Sequence, residues 1–109
     1  MKIIKTLLLA TAILLLAFKY SIGTIVVTVG DTATALPTTA KVGRKYIEVH
    51  NIGSSIIYIG DATVSADETA TGGIQLVPRA SWREPYDHTV VIYAIVATGT
   101  CKVVVEEGK

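Results

Sequence analysis

From Thr24 onward the apolar residues of this chain fall in short bursts separated by turn residues, and the bursts follow a period of two rather than 3.6. "TIVVTV" is followed by Gly30 and Asp31. "RKYIEVHN" alternates, with Ile47 and Val49 on one face and Tyr46, Glu48 and His50 on the other. "IGS" leads into "SIIYIG", so these two segments are expected to form a hairpin. "IQLVP" and "ASWRE" flank a turn at Pro78-Arg79. "HTVVIYAIVA" is apolar from Val90 to Ala97, the pattern of a central strand covered on both faces. "TCKVVVEE" closes the series after Gly99 and places Cys101, Val103 and Val105 on one face. "TATALPTTAKVG" is a connection in which Pro37 allows at most an edge strand, and "DATVSADETATGG" is a polar loop with at most one short strand. The pattern predicts an all-β domain over residues 24–109, a small antiparallel β-sandwich or barrel of seven or eight strands with no helix.

Residues 1–23 break this pattern. Leu7, Leu8, Leu9, Ile13, Leu14, Leu15, Leu16 and Phe18 dominate an apolar run from Thr6 to Phe18, predicted as one hydrophobic N-terminal helix. As a secretory signal it has a basic start at Lys2 and Lys5, and small residues Ser21 and Gly23 before a cut at Thr24. As a retained membrane or assembly anchor, a helix over residues 3–20 would be about 27 Å long, near the bilayer core of about 30 Å. In that case Lys5 and Lys19 would snorkel to the interface. Both readings stay open.

Composition narrows the partners. The ten basic residues exceed the nine acidic ones by one, but Lys2, Lys5 and Lys19 all precede the β domain, which keeps seven basic residues and a net charge of −2. A nucleic-acid binder needs a basic stripe, and "VGRKY" holds the lone adjacent basic pair. A single cysteine excludes an intrachain disulfide framework and predicts Cys101 as a core thiol. A domain of this length buries only about 60–65% of its unfolded surface, which favours association with further copies. "SIIYIG" fits that expectation: Ile57 and Ile59 serve one face while Ile56 and Tyr58 leave the other apolar.

Chemistry is sparse. Ser81, Asp87 and His88 assemble a triad on paper, but no nucleophile-elbow glycines surround the serine. Asp61, Asp67 and Glu68 suggest Ca²⁺, yet the ligand spacing, the turn glycine and the distal Glu of an EF-hand loop are missing. No glycine run forms a phosphate loop. No catalytic, cofactor or metal residue is therefore expected, nor a small-molecule substrate. Arg79, Trp82, Arg83 and Tyr86, with Ile56 and Tyr58, are candidate assembly residues, because Trp, Tyr and Arg are enriched at interfaces.

Three stretches, "TVGDTATALPTTAKVGRKYIEVHNIGSSIIYIGDATV", "GIQLVPRASW" and "VVIYAIVATGTCKVVVEE", resemble in order a small β-sandwich domain of phage and prophage virion proteins. There such domains act as capsid decoration, head-fibre or tail-associated modules. The resemblance spans residues 24–107 and implies a structural role with no catalytic or ligand residue. The hydrophobic N-terminus departs from the family pattern. The expectation is a non-enzymatic virion subunit that contacts copies of itself and other virion proteins, with residues 3–20 touching a membrane or neighbouring subunits. The alternative is a secreted bacterial or archaeal filament or cell-surface subunit, cut at Thr24 and assembled by strand exchange with "TIVVTV" as donor. A membrane-tethered hydrolase or metal-dependent enzyme is the third reading, and the sequence shows no convergent ligand or acid/base cluster for it.

Overall fold

Two four-stranded antiparallel sheets, facing each other across a core of aliphatic side chains, make up the computed structural model, which describes residues 22–67 and 72–109. In chain order the strands are β1 (Ile22–Val29), β2 (Thr34–Leu36), β3 (Tyr46–Asn51), β4 (Ile57–Gly60), β5 (Ile74–Leu76), β6 (Ser81–Glu84), β7 (Ile92–Ile95) and β8 (Cys101–Gly108). One sheet has the order β1-β8-β3-β6 and the other β2-β7-β4-β5. Every connection except that between β4 and β5 carries the chain from one sheet to the other. Eight strands wound in this way form the double Greek key of a jelly-roll sandwich. The expected all-β sandwich and its upper strand count stand. The predicted anchor residues, Leu7 to Phe18, lie outside the described residues.

The period-two patterns assign the faces. On β8, Cys101, Val103 and Val105 point into the core, and on β3 Ile47 and Val49 join them. From the second sheet come Leu36, Ile57, Ile59, Leu76, Ile92, Ala94 and Val96. Alternation accounts for this selection, since adjacent strand residues face opposite ways and only one face of each sheet is covered.

Two expectations need correction. The segments that became β3 and β4 do not form a hairpin: β3 pairs β8 and β6, whereas β4 pairs β5 and β7. "HTVVIYAIVA" is not covered on both faces. Only Ile92–Ile95 is strand, and although it lies inside its sheet, Tyr93 and Ile95 on the outer side stay half-buried while Val90 and Val91 are exposed. A run of apolar residues cannot by itself distinguish a doubly covered strand from a strand flanked by an apolar loop.

The departure from β3 toward β4 is held by one buried amide. Asn51 Nδ2 donates to the carbonyls of Ser55 (2.8 Å) and Leu76 (2.9 Å), while Oδ1 accepts from Gly53 N (3.0 Å) and from Cys101 Sγ (3.2 Å). A Cβ at residue 53 would collide with the Cys101 sulfur, so only glycine lets the turn close over the thiol. The "Asn-x-Gly" of the sequence is thus a crossover between sheets.

At the opposite end a buried ion pair closes the sandwich. Arg44 Nη1 meets Glu107 Oε2 at 2.8 Å, with the two side chains only 1% and 8% exposed. Arg44 also donates to the carbonyls of Tyr86 (3.1 Å) and Val90 (2.6 Å), tying the β6–β7 connection to β8. Glu107 Oε2 further accepts from Lys41 N at 2.8 Å.

Candidate functional site

The outer face of the β1-β8-β3-β6 sheet carries the densest polar chemistry among the described residues. Antiparallel register places residues on neighbouring strands directly opposite one another, so each row across the sheet can be followed. One row runs Thr24, Glu106, Glu48, Arg83, and the next runs Val26, Val104, His50, Ser81. Thr24, Glu48, His50, Ser81, Val104 and Glu106 line a shallow depression of about 340 Å³.

Glu48 and Glu106 face each other as like charges, which is unfavourable unless a proton lies between them. A hydrogen bond from Glu106 to Glu48 raises the Glu106 pKa above its ordinary 4.5; partial burial and the Glu48 charge add to this, and Arg83 opposes it. Beside them His50 Nδ1 and Ser81 Oγ are 2.5 Å apart. The Arg83 guanidinium stacks 3.9 Å from the Tyr46 ring centroid, and that ring lies across Gly108, where a Cβ would collide with it.

This set holds an opposed Glu48–Glu106 carboxyl pair and a Ser–His contact. Among the described residues the hydrogen bond of the His50 ring is to Ser81, and the depression is an open sheet face. Among the described residues, no three His, Cys, Asp or Glu side chains converge as metal ligands.

The paper triad does not assemble. Ser81 is committed to His50, while Asp87 accepts from Thr89 N (2.8 Å) and Thr89 Oγ1 (2.5 Å) in an exposed turn, bonds that hold its carboxyl below the ordinary 3.8. His88 is exposed in that same turn. In the acidic loop, Asp61 accepts from Thr63 N (2.8 Å) and Oγ1 (2.6 Å) and is lowered for the same reason. Asp67 accepts from Ser65 Oγ at 2.9 Å, and Glu68 lies outside the described residues.

The candidate assembly residues are distributed over several surfaces. Trp82 and Tyr86 meet edge-on, with centroids 6.0 Å apart, and pack partly against the core. With Ile59, Ile74 and Ile92 they border an apolar cavity of about 210 Å³ at the mouth between the sheets. That is smaller than the ~300 Å³ at which small-molecule sites begin. Arg83 points to the opposite side of its sheet, onto Tyr46. Arg79 is exposed in the β5–β6 turn with a φ of 70°. Ile56 is exposed ahead of β4, and Tyr58 is half-buried on the outer face of the second sheet.

A further feature concerns the sheet margins. Margins bear unpaired backbone groups that recruit other strands unless something blunts them. Three of the four are blunted: β2 has three residues and runs into Pro37, β5 has three and is followed by Pro78, and β6 has four, including Arg83 and Glu84, before Pro85. The fourth, β1, has eight residues paired to β8 without a bulge and contains no charge and no proline. Ile22, Ile25 and Val26 on it are 58%, 50% and 55% exposed. "TIVVTV" signalled the strand and its lack of charge; its place at a margin and the Glu48–Glu106 opposition depend on register, which the sequence does not display.

No family model, curated protein or solved structure matches this chain.

Proposed function

We propose that this chain is a non-enzymatic structural subunit of a virion, a capsid-associated or decoration protein. It associates with copies of itself through the β domain, and its hydrophobic N-terminal segment anchors it to a membrane or to neighbouring subunits. The observation that carries the reading is the strand order β1-β8-β3-β6 against β2-β7-β4-β5. This jelly-roll winding serves viral capsid domains, and also lectins and cupins. That step is an analogy of fold, and folds host many functions. The surface supports the structural side of the analogy: the space between the sheets is filled by aliphatic side chains, and among the described residues no strand pairs with the free side of the β1 strand, which carries no charge of its own.

The uncharged β1 strand also supports a second reading, an exported filament or surface subunit that exchanges strands. Both readings are tested on particles purified from the producing culture. Virion assembly expects the protein to co-sediment with capsid protein through a density gradient, with an intact mass that includes the hydrophobic segment. Recovery in virus-free surface filaments, with a mass beginning at Thr24, would overturn it in favour of export.

A further inference from the structure

We infer that β1 is a self-association edge: two copies join antiparallel, β1 to β1, across a twofold axis at Val26, giving one continuous eight-stranded sheet. The inference rests on the reading that the chain assembles with copies of itself, and it names the surface and the register.

The choice of edge follows from what the other margins carry. Shortness, proline and charge are the ordinary defences against strand addition, and β2, β5 and β6 each have some of them. β1 has no proline, bulge or charged residue of its own along eight residues; the Lys41 side chain lies against it at Gly23, and exposed Ile22, Ile25 and Val26 place apolar surface on both sides of its backbone. Among the described residues no strand pairs with that side of β1.

A second copy fits because the strand complements itself. An antiparallel twofold keeps the outer faces of both sheets on the same side, so the axis must pass through a residue and not between two. Centred on Val26, it sets Val26 against its counterpart, Thr24 against Thr28, and Ile25 against Val27. Thr24 neighbours Glu106 on β8, and Thr28 neighbours Lys102. Each outer row crossing the junction at these threonines therefore runs from a glutamate in one copy to a lysine in the other. A parallel junction would need a twofold along the strands, which turns the outer face of one copy to the inner side of the other, and a twofold through Ile25 would leave both charges facing uncharged rows. The two charges stand three strand spacings apart, about 14 Å, so at physiological salt they are largely screened and favour this direction and register at low ionic strength. An eight-residue edge is also well below the ~20–30 residues a side of a standard interface. The contact is weak singly and gains from repetition in an assembly.

The test is disulfide trapping in the full chain, solubilised in mild detergent, under gentle oxidation. Cys101 is buried, so the unmodified protein is a silent control. Val26→Cys is expected to give a covalent dimer. Thr24→Cys and Thr28→Cys are each expected to stay monomeric but to cross-link when mixed. Ile52→Cys, an exposed apolar position away from β1, reports random collision. The inference is overturned if Val26→Cys links no faster than Ile52→Cys, or if Thr24→Cys alone links as well as the mixture. Val26→Lys supplies a second check: loss of association in sedimentation velocity with an unchanged melting temperature supports the edge, and undiminished association refutes it. Recovery in virions without Val26 cross-linking sinks this register alone; cross-linking in a protein never found in particles sinks the virion reading alone.

Discussion

Replacing Glu107 by Gln should unfold the domain more readily than any comparable surface change. The substitution keeps the shape but removes the carboxylate that meets the Arg44 guanidinium at 2.8 Å. Arg44 is 2% exposed and would stay held by the carbonyls of Tyr86 and Val90. Leaving one member of a buried pair uncompensated costs about 3–5 kcal/mol, and Gln can still accept a hydrogen bond, so about 3 kcal/mol is expected. Domains of this size have a total stability of about 5–15 kcal/mol and shift by about 4–8 °C per kcal/mol, which puts the fall in melting temperature at about 12 °C or more. Urea unfolding followed by Trp82 fluorescence and far-UV circular dichroism gives the free energy directly. Deuterium uptake should rise first in residues 86–90, which Arg44 ties down. The double variant Arg44→Met/Glu107→Leu should lose less than the sum of the single changes, because it leaves no orphaned charge. A Glu107→Gln protein within about 1 kcal/mol of the parent would refute the reasoning, since exposed pairs are worth that little.

Three further outcomes are expected. Gly53→Ala should cost about 1–3 kcal/mol through overpacking against the Cys101 sulfur, and Cys101→Ala in the same chain should recover part of it in urea melts. Arg79 occupies the positive-φ position of the Val77–Ala80 turn, closed by a 3.0 Å bond from Ala80 N to Val77 O, so Arg79→Asn should raise stability by about 1 kcal/mol in thermal melts. Glu106 is raised in the folded protein, so the native state binds more protons than the unfolded chain once pH passes the ordinary 4.5. Its contribution is present below that pH and is lost as pH rises through the folded value; Glu106→Gln should flatten that part of a stability-versus-pH curve.

What the sequence displays and what it conceals divide along sequence distance. Alternation within "YIEVHN" and "CKVVVEE" is local, and the structure puts Ile47, Val49, Cys101, Val103 and Val105 in the core as that alternation requires. Register between β3 and β8 is not local: Glu48 and Glu106 are 58 positions apart and become neighbours only through the pairing. The hairpin expectation failed for the same reason. A short Asn-x-Gly-Ser-Ser segment between two strands fits a hairpin turn, but Asn51 spends its amide on Ser55 and Leu76 and passes the chain to the other sheet. Arg44 was read merely as half of a basic pair, and nothing in "VGRKY" distinguishes it from Lys45, which is exposed.

The start of β1 bears on the choice between a retained segment and a cleaved signal. A cut before Thr24 would remove Ile22 and Gly23, which pair with Gly108 and Glu107 on β8. The second of those rungs supports the backbone of the residue that neutralises Arg44. A shortened chain would keep the register from Thr24 to Val29 and the proposed twofold at Val26, but the end that carries the buried ion pair would lose its outer strand. Export by a cut at this point and full stability of that end therefore pull against each other. The Glu107→Gln measurement made on chains beginning at Met1 and at Thr24 separates them: a smaller loss in the shortened chain means the ladder above Thr24 is what keeps the pair dry, and an equal loss means those two residues are dispensable to it.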